Sequence, residues 1–215
     1  RVIITSTSET YGTAKFVPIT EDHPQVGQSP YAASKIGADQ IAISYFKSFN
    51  TPISIIRPFN TYGPRQSCRA VIPTIITQIA KNKKILSLGN LTPTRDFNFV
   101  LDTCNAFIEL SKSKEAIGMI VNMASSFEVS IGETANIIKE MMNSNIKIVS
   151  EGERIRPKNS EVNRLYGDNT LLKKITAWES KFDGIDGFKR GLERTIEWFS
   201  DKENLKFYKN DSYNI

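Results

Sequence analysis

A tyrosine and a lysine stand four residues apart in the segment Tyr31-Ala-Ala-Ser-Lys35, a spacing that places both side chains on one face of a helix. An ammonium group close to a phenol favours the phenolate, the form that can accept a proton. The pair therefore indicates a general base acting on a hydroxyl group. In a chain with 7 Tyr and many lysines the same pair also arises by chance on a solvated helix, so the pattern alone leaves both interpretations open.

A helix must carry this pair, and the neighbouring residues predict its bounds. Ser29 is a suitable N-cap and Pro30 suits the first helical position, whereas Thr51-Pro52 ends the pattern. Two short apolar runs typical of buried strands, Val2 to Thr5 and Ile53 to Arg57, flank the helix. The apolar stripe of the helix is expected to comprise Ile41, Ala42, Tyr45 and Phe46.

The rest of the chain continues to alternate helical and strand patterns, which is typical of parallel βαβ units. Helices are predicted near residues 73–82, 102–112, 132–142 and 188–199, and strands near 85–88, 119–123 and 146–149. The sequence thus predicts an α/β doubly wound sheet with a smaller mixed α/β region. Ligands of such sheets bind beyond the carboxyl ends of the strands, so segments 6–12 and 58–65 are expected to line a crevice.

Composition narrows the classes of partner. The 28 Lys and Arg exceed the 23 Asp and Glu by five, an excess that suits an anionic ligand without indicating nucleic acid. Cys68 and Cys104 lack metal-type spacing, so we predict neither a metal site nor a disulfide, and expect a cytoplasmic protein. No apolar run approaches the roughly 18 residues that span a membrane. The lone His23, in a polar loop, is expected to be solvated.

The start of the chain is unusual. Arg1 runs directly into the strand at Val2 without a preceding turn or cap. Because a natural domain rarely begins in this way, we expect an earlier part of the protein to be missing.

Four motifs follow one another along the chain: Thr5-Ser-Thr-Ser-Glu-Thr-Tyr-Gly12, Ser29-Pro-Tyr-Ala-Ala-Ser-Lys35, Arg57-Pro-Phe-Asn-Thr-Tyr-Gly-Pro-Arg-Gln66 and Arg95-Asp-Phe-Asn-Phe-Val100. Their order and spacing resemble the extended short-chain dehydrogenase/reductase family of NAD-dependent epimerases and dehydratases, and the resemblance covers almost the whole chain. It implies the C-terminal part of a Rossmann-type doubly wound parallel sheet plus a smaller mixed α/β substrate domain. It also implies NAD as cofactor and a nucleotide sugar as substrate.

The same resemblance implies roles for residues near the cofactor. Tyr31 removes the proton from the sugar C4 hydroxyl, Lys35 tunes Tyr31 and holds the nicotinamide ribose, and Thr7 orders the reacting hydroxyl. Pro58 is expected to lie near the nicotinamide, and Thr5 is a further cofactor contact.

Ser8 and Glu9 follow Thr7, where dehydratases that resemble this chain carry an acidic or Ser residue and then Glu. Once C4 is a ketone, the C5 proton is acidic, and Glu9 would remove it and then protonate the departing C6 hydroxyl. The alternative is that Glu9 caps a turn or pairs with Lys15.

Substrate contacts are implied by the resemblance for Asn60, Arg69, Val71, Arg95 and Arg156. A guanidinium group binds phosphate through two parallel hydrogen bonds and also stacks on a base, which suits the anionic end of a nucleotide sugar. The alternatives are a turn residue paired with Asp96 for Arg95, and a surface charge near Glu153 for Arg156.

The resemblance also predicts how the chain divides. Residues 1–61 and about 91–130 are assigned to the remainder of the NAD-binding domain, and about 62–90 and 131–215 to the nucleotide-sugar-binding domain. None of the 12 glycines forms the family's phosphate-binding turn, so this loop and the first strands are expected to precede Arg1. The residue that separates NAD from NADP normally follows that loop, so the chain does not discriminate between them. We expect the full-length protein to be a homodimer.

The sequence leaves three candidate functions, two of them enzymatic and one non-catalytic. The leading hypothesis is a nucleotide-sugar 4,6-dehydratase, most like those acting on UDP-N-acetylglucosamine in nonulosonic acid synthesis or on GDP-mannose. A nucleotide-sugar 4-epimerase is the alternative on the same scaffold. The second class is a non-catalytic NAD-sensing protein or an inactive fragment; NAD-sensing proteins of this fold typically lose the Tyr or the Lys that this chain retains.

Overall fold

The computed structural model describes residues 1–151, 162–206 and 208 of the 215-residue chain. Its strands are β1 (Val2–Thr5), β2 (Ile53–Pro58), β3 (Asn60–Tyr62), β4 (Ile85–Leu88), β5 (Thr94–Phe99), β6 (Ile120–Met123), β7 (Glu128–Ser130) and β8 (Lys147–Ser150). Its helices are α1 (Pro30–Phe49), α2 (Val71–Ala80), α3 (Val100–Lys112), α4 (Ile131–Met141), α5 (Thr170–Ile175), α6 (Gly184–Ser200) and α7 (Lys202–Leu205). A short 3₁₀ helix, Ser8–Tyr11, follows β1.

A parallel sheet with the strand order β1-β2-β6 carries the segments that were expected to line a crevice. Its central strand, β2, is buried over Ile53 to Arg57, as expected for a parallel strand covered on both faces. Thr5 pairs with Ile56, and Pro58 pairs with Met123, so the carboxyl ends of all three strands meet at one edge. The predicted α/β architecture with a parallel sheet is confirmed.

Helices α1 and α3 cover opposite faces of this sheet. Ile53 and Ile55 pack in one cluster with Ala42 of α1, whereas Ile56 packs in another with Ala106 and Leu110 of α3. Because neighbouring side chains of a strand point to opposite faces, the two helices lie on opposite sides, as a doubly wound sheet requires.

The bounds of α1 agree with the prediction, but its buried face agrees only in part. The Ser29 hydroxyl accepts a hydrogen bond from the Ala32 backbone N–H at 3.1 Å, and Asn50 ends the helix in a left-handed conformation with φ 52°. Of the predicted stripe, Ala42 is buried and Phe46 is partly buried. Ile41 is 63% exposed and Tyr45 is 53% exposed, so the prediction is wrong at these two residues. The fully buried residues of α1 are Ala32, Asp39 and Ala42.

A second region is built around aromatic side chains. Strand β3 pairs in parallel with β5, which pairs in antiparallel orientation with β7, and β4 pairs in parallel with β8. Against these strands pack α2, α4 and α6. The helix predicted near residues 188–199 is confirmed as part of α6, and it buries Phe188, Leu192 and Phe199, which are at most 1% exposed. We call the cluster of buried rings comprising Tyr62, Phe97, Phe99 and Phe188 the aromatic core.

Strands β3, β5 and β7 were not predicted from the sequence. Their residues, Asn-Thr-Tyr, Thr-Arg-Asp-Phe-Asn-Phe and Glu-Val-Ser, lack the β-branched runs that identify β1 and β2. They become strands because they pair with one another over the aromatic core. Of the helices in the described residues, none combines the length and the apolar character that crossing a membrane requires.

Candidate active site

The turn that follows β1 carries three of the predicted catalytic residues. The Thr7 hydroxyl accepts a hydrogen bond from the Glu9 backbone N–H at 3.2 Å, and the Thr10 hydroxyl donates to the Thr7 carbonyl at 2.8 Å. These contacts wind residues 8–11 into the 3₁₀ helix at the carboxyl edge of the sheet. Ser8 is buried within this turn, with 2% of its surface exposed.

Glu9 is partly buried in the first turn of the 3₁₀ helix. Thr7, not Glu9, provides the side-chain cap of this turn. Within the described ranges, no ion pair joins Glu9 to Lys15. The two alternatives raised for Glu9, a turn cap and a pair with Lys15, are therefore not what the structure contains.

Tyr31 and Lys35 occupy the first turns of α1, beside the end of β1. The Lys35 ammonium group donates to the Thr5 carbonyl at 3.1 Å, which joins the helix to the strand that leads into Thr7. Tyr31 is 51% exposed, so its phenol is open to a ligand. An ammonium group has three N–H donors, and the bond to Thr5 uses one of them. An exposed phenol and an ammonium group with donors to spare thus lie in the first turns of the helix that joins the carboxyl edge.

Pro58 and Asn60 lie at the neighbouring strand end. Pro58 is the last residue of β2 and is partly buried, and Asn60 opens β3. The Asn60 side-chain oxygen is buried and has no hydrogen-bond partner among the described residues. A buried acceptor without a partner suits a residue that receives its hydrogen bond from a ligand.

Behind this edge lies a buried polar network that the sequence did not identify. One oxygen of Asp39, Oδ2, accepts from the Ser6 hydroxyl at 2.9 Å and from Arg57 Nε and Nη2 at 3.2 and 2.8 Å. The Arg57 guanidinium carbon lies 4.8 Å from the centre of the Tyr11 ring. The Tyr11 hydroxyl donates to Asn122 Oδ1 at 2.7 Å, and burial raises the pKa of Tyr11. In the sequence, the feature that could have indicated this network is the acidic residue four positions after Lys35.

The other predicted substrate residues lie outside this cluster. Arg69 is exposed just before α2, and Val71, the first residue of α2, packs against the second region. Arg95 lies within β5, where its guanidinium group donates to the Thr94 carbonyl at 2.8 Å. Arg156 lies outside the described residues.

Asp96, next to Arg95, is a structural carboxylate. It is fully buried, and it accepts hydrogen bonds from the backbone N–H groups of Ser125, Ser126 and Gly167 at 2.8, 3.1 and 3.2 Å. Burial raises the pKa of Asp96 to about 6, while these donors act in the opposite direction. Asp96 therefore fastens β5 to the chain that follows β6 and to the segment at Gly167.

The expectation that His23 is solvated is wrong. His23 is 2% exposed and packs against the rings of Tyr11 and Phe16 at 5.5 and 4.6 Å. Its Nε2 accepts from the Lys15 backbone N–H at 3.0 Å, which leaves the proton on Nδ1 to donate to the Pro24 carbonyl at 2.9 Å. His23 thus fastens the loop between the 3₁₀ helix and α1 rather than serving as an acid or base.

Known proteins are similar to this chain over most of its length. The model of the family described as GDP-mannose 4,6 dehydratase matches residues 1–191. The dTDP-D-glucose 4,6-dehydratase of Homo sapiens is 30% identical, with 98% of this chain and 59% of that protein covered. A putative UDP-glucose 4-epimerase of Methanocaldococcus jannaschii is 30% identical, with 92% of this chain and 62% of that protein covered.

Solved structures agree with the fold. The dTDP-glucose 4,6-dehydratase of Bacillus anthracis in complex with NAD superposes with a TM-score of 0.81 at 29% identity, covering 94% of this chain and 62% of that one. The chain spans about three-fifths of the length of these relatives, 59% in the human case.

Proposed function

The chain belongs to the GDP-mannose 4,6-dehydratase family, and from this membership we propose that the full-length protein is an NAD-dependent nucleotide-sugar 4,6-dehydratase. The observation that carries the proposal is the 3.1 Å bond between the Lys35 ammonium group and the Thr5 carbonyl, which joins the helix that carries Tyr31 and Lys35 to the segment from Thr5 to Glu9. This contact supports assigning a base for C4, Tyr31, and a carboxylate for C5, Glu9, to the same sheet edge.

The residues at this edge fit a bound nicotinamide ribose. Lys35 has two N–H donors beyond the one used on Thr5, and the half-exposed Tyr31 phenol provides a further polar group. Pro58 would face the nicotinamide ring from the end of β2. The bound NAD⁺ would accept hydride from C4 of the sugar and later return it to C6. A solved dehydratase with a TM-score of 0.81 to this chain holds NAD.

The protein's own groups would move the protons. Tyr31, as phenolate, takes the proton of the C4 hydroxyl while C4 is oxidised, and Thr7 orders that hydroxyl. The C4 ketone makes the C5 proton acidic, and Glu9 removes it. The C6 hydroxyl then leaves as water with the proton that Glu9 carries. With the hydride returned to C6, a proton taken from solvent adds to C5 and gives the 4-keto-6-deoxy product, while Tyr31 releases the C4 hydroxyl proton to solvent.

We further propose that Asn60 contacts the sugar or its first phosphate and that Arg69, Val71, Arg95 and Arg156 contribute to the nucleotide-sugar site. We also propose, from the family membership, that the chain divides into an NAD-binding part and a nucleotide-sugar-binding part. The two free cysteines favour a reducing cytoplasm.

A full-length homodimer is proposed from the outer face of α1. Ile41, Tyr45 and Phe49 are spaced by four residues and are 63%, 53% and 71% exposed, forming an apolar stripe of the kind that marks an interface. In a two-fold dimer this stripe would pack against its own copy. Light scattering of the full-length protein should give a dimer that Ile41→Lys dissociates, and a wild-type monomer would refute the proposal.

Product analysis in D₂O tests the reaction. UDP-N-acetylglucosamine, GDP-mannose and dTDP-glucose are each incubated with the full-length protein and with Glu9→Gln. The dehydratase should form a 4-keto-6-deoxy sugar with deuterium at C5, and Glu9→Gln should largely fail to do so. Glu115→Gln is the matched control, because this exposed residue lies near the opposite edge of the sheet.

The 4-epimerase is the second candidate, since a putative epimerase is 30% identical to the chain. Epimerisation inverts C4 without breaking the bond between C5 and its hydrogen. Clean inversion at C4 with no deuterium uptake, unaffected by Glu9→Gln, would decide for the epimerase and against the dehydratase.

A further inference from the structure

The ion pair between Asp39 and Arg57 lies directly behind the candidate site. Asp39 follows Lys35 by four residues and Tyr31 by eight, so it shares their side of α1. Arg57 immediately precedes Pro58 at the end of β2. We propose that this pair, together with Ser6, is the positioning element that holds the reactive groups in one arrangement.

The Asp39 carboxylate joins three segments through a single oxygen. Its Oδ2 accepts from Arg57 of β2 at 2.8 and 3.2 Å and from the Ser6 hydroxyl at 2.9 Å. Ser6 directly precedes Thr7, so its bond to Asp39 sets where the turn after β1 begins. This one buried carboxylate therefore links the side chains of α1, β2 and the turn after β1 at the carboxyl edge.

Arg57 extends the connection to a fourth segment. Its guanidinium carbon lies 4.8 Å from the centre of the Tyr11 ring, and Tyr11 is the last residue of the 3₁₀ helix that contains Glu9. The Tyr11 hydroxyl is held in turn by Asn122 of β6 at 2.7 Å. The orientation of the turn that carries Glu9 is thereby tied to the same pair.

The pair is poorly arranged for stability alone. Both residues are at most 1% exposed, and bringing two charges out of water costs free energy that the attraction between them repays only with excellent geometry. The second carboxylate oxygen of Asp39, Oδ1, is buried and has no hydrogen-bond partner among the described residues. Well-packed apolar residues are often at least as stable in such places. Compared with apolar residues at these positions, the ion pair therefore fixes geometry without adding stability.

An apolar replacement separates a positioning role from a structural one. Asp39→Leu combined with Arg57→Met in the full-length protein removes both charges and fills a comparable volume. The measurement is the rate constant of nicotinamide reduction in a single turnover, with the substrate dissociation constant and Tm measured alongside. We expect the rate constant to fall about 10²-fold, the effect of an ångström-scale misplacement, with little change in Tm or substrate affinity. An unchanged rate constant would overturn the proposal.

Two serines provide a matched single-site test. Ser6 is 5% exposed and donates to Asp39, whereas Ser54 is 0% exposed and donates to the Ala116 carbonyl at the amino end of the sheet. Ser6→Ala removes the buried bond to Asp39, and Ser54→Ala removes the buried bond to Ala116 together with a partly buried bond from Arg1, so both should lower Tm. Only Ser6→Ala should slow nicotinamide reduction. Equal rate constants in the two variants would contradict the positioning role.

The proposal rests on the proposed function, and a readout without turnover keeps the two separable. Product identity tests the dehydratase, whereas amide hydrogen exchange of the protein without substrate tests positioning. In the double variant, peptides covering residues 6–12 and 30–35 should exchange faster while the aromatic core is unaffected. Unchanged exchange in these peptides would refute positioning whatever product the wild-type protein forms.

Discussion

The sheet region and the second region bury different kinds of side chain. Behind the carboxyl edge of β1, β2 and β6 the buried residues include Asp39, Arg57 and Asn122, which are at most 1% exposed. Around α2, α4 and α6 the buried residues are mostly aromatic and aliphatic. The buried polar residues of these helices are threonines whose hydroxyls bond to the backbone carbonyl four residues earlier, namely Thr77, Thr134 and Thr195. Apolar burial stabilises a fold with few geometric demands, whereas buried polar groups must each find a partner in one arrangement. Substitutions in the first region should therefore change rates, and substitutions in the second should change stability.

The largest expected effect lies at the sheet edge. Tyr31→Phe in the full-length protein removes only the proposed proton acceptor, so kcat should fall by about 10²- to 10⁴-fold. The side chain is 51% exposed, so Tm and nucleotide-sugar affinity should hardly change. Steady-state kinetics and thermal unfolding make the comparison. Tyr45→Phe, at 53% exposure on the same helix, is the control and should retain full activity. Wild-type turnover in Tyr31→Phe would remove Tyr31 from the reaction.

In the aromatic core, a substitution should lower stability and leave the rate constant unchanged. Phe188 is 1% exposed and contacts the rings of Tyr62 and Phe97 at 5.4 and 5.7 Å. Phe188→Ala should lower the free energy of unfolding by about 3–5 kcal/mol, because it leaves a cavity among rings that cannot collapse into it. The rate constant per folded molecule should be unchanged.

Urea unfolding of the full-length variant measures this loss, with Ile185→Ala as the control. Ile185 is 40% exposed on the same helix, so its truncation should cost little. A small loss in Phe188→Ala, or a lower rate constant per folded molecule, would show that the two regions are not separable in this way.

Two helical glycines extend the comparison, because replacement by alanine should change the stability of the protein in opposite directions at the two positions. A Cβ at Gly191 of α6 would lie 2.1 Å from Tyr62 Oη and 2.9 Å from Cζ, whereas a Cβ at Gly37 of α1 would meet nothing within 4 Å. Alanine is preferred to glycine in a helix by about 1 kcal/mol, so Gly37→Ala should stabilise the protein. At Gly191 overpacking, which costs about 1–3 kcal/mol, should outweigh that preference. Thermal unfolding decides, and stabilisation by Gly191→Ala would mean that the aromatic core yields easily.

The sequence predicted the sheet region better than the second region. Unbroken apolar runs and a Ser-Pro helix start identify β1, β2 and α1 locally, and the motifs around Tyr31 and Glu9 correctly indicated the family. Strand β5 and the burial of His23 and Asp39 were not predictable in this way. Each depends on a partner outside its own element, such as Ser125 for Asp96 of β5, Arg57 for Asp39 and Lys15 for His23. The exposure of Ile41 on α1 is of the same kind, because periodicity marks an apolar face without saying what covers it.

The smallest expected effect concerns an ion pair of the second region. This pair is exposed to solvent, whereas the pair of Asp39 and Arg57 is buried. Arg164 Nε and Nη2 donate to the two carboxylate oxygens of Glu128 at 2.7 and 2.8 Å, and the Arg164 side chain is 49% exposed. The hydrogen bonds from Arg164 lower the pKa of Glu128 below its usual 4.5. Because solvent screens the pair, Arg164→Ala should cost only about 0.2–1 kcal/mol at neutral pH.

The sign of the pH dependence follows from that lowered pKa. A carboxyl group with a lower pKa in the folded than in the unfolded protein contributes stability above the unfolded value, and this contribution is lost as the pH falls through the folded value. The difference in unfolding free energy between wild type and Arg164→Ala should therefore be present at pH 7 and vanish well below pH 4.5. Urea unfolding at the two pH values tests this, with Arg164→Lys expected to retain part of the difference because it keeps the charge and loses the paired geometry. A difference that persists at low pH would mean that Arg164 stabilises through the packing of its stem, and that exposed and buried pairs in this protein differ less than their burial indicates.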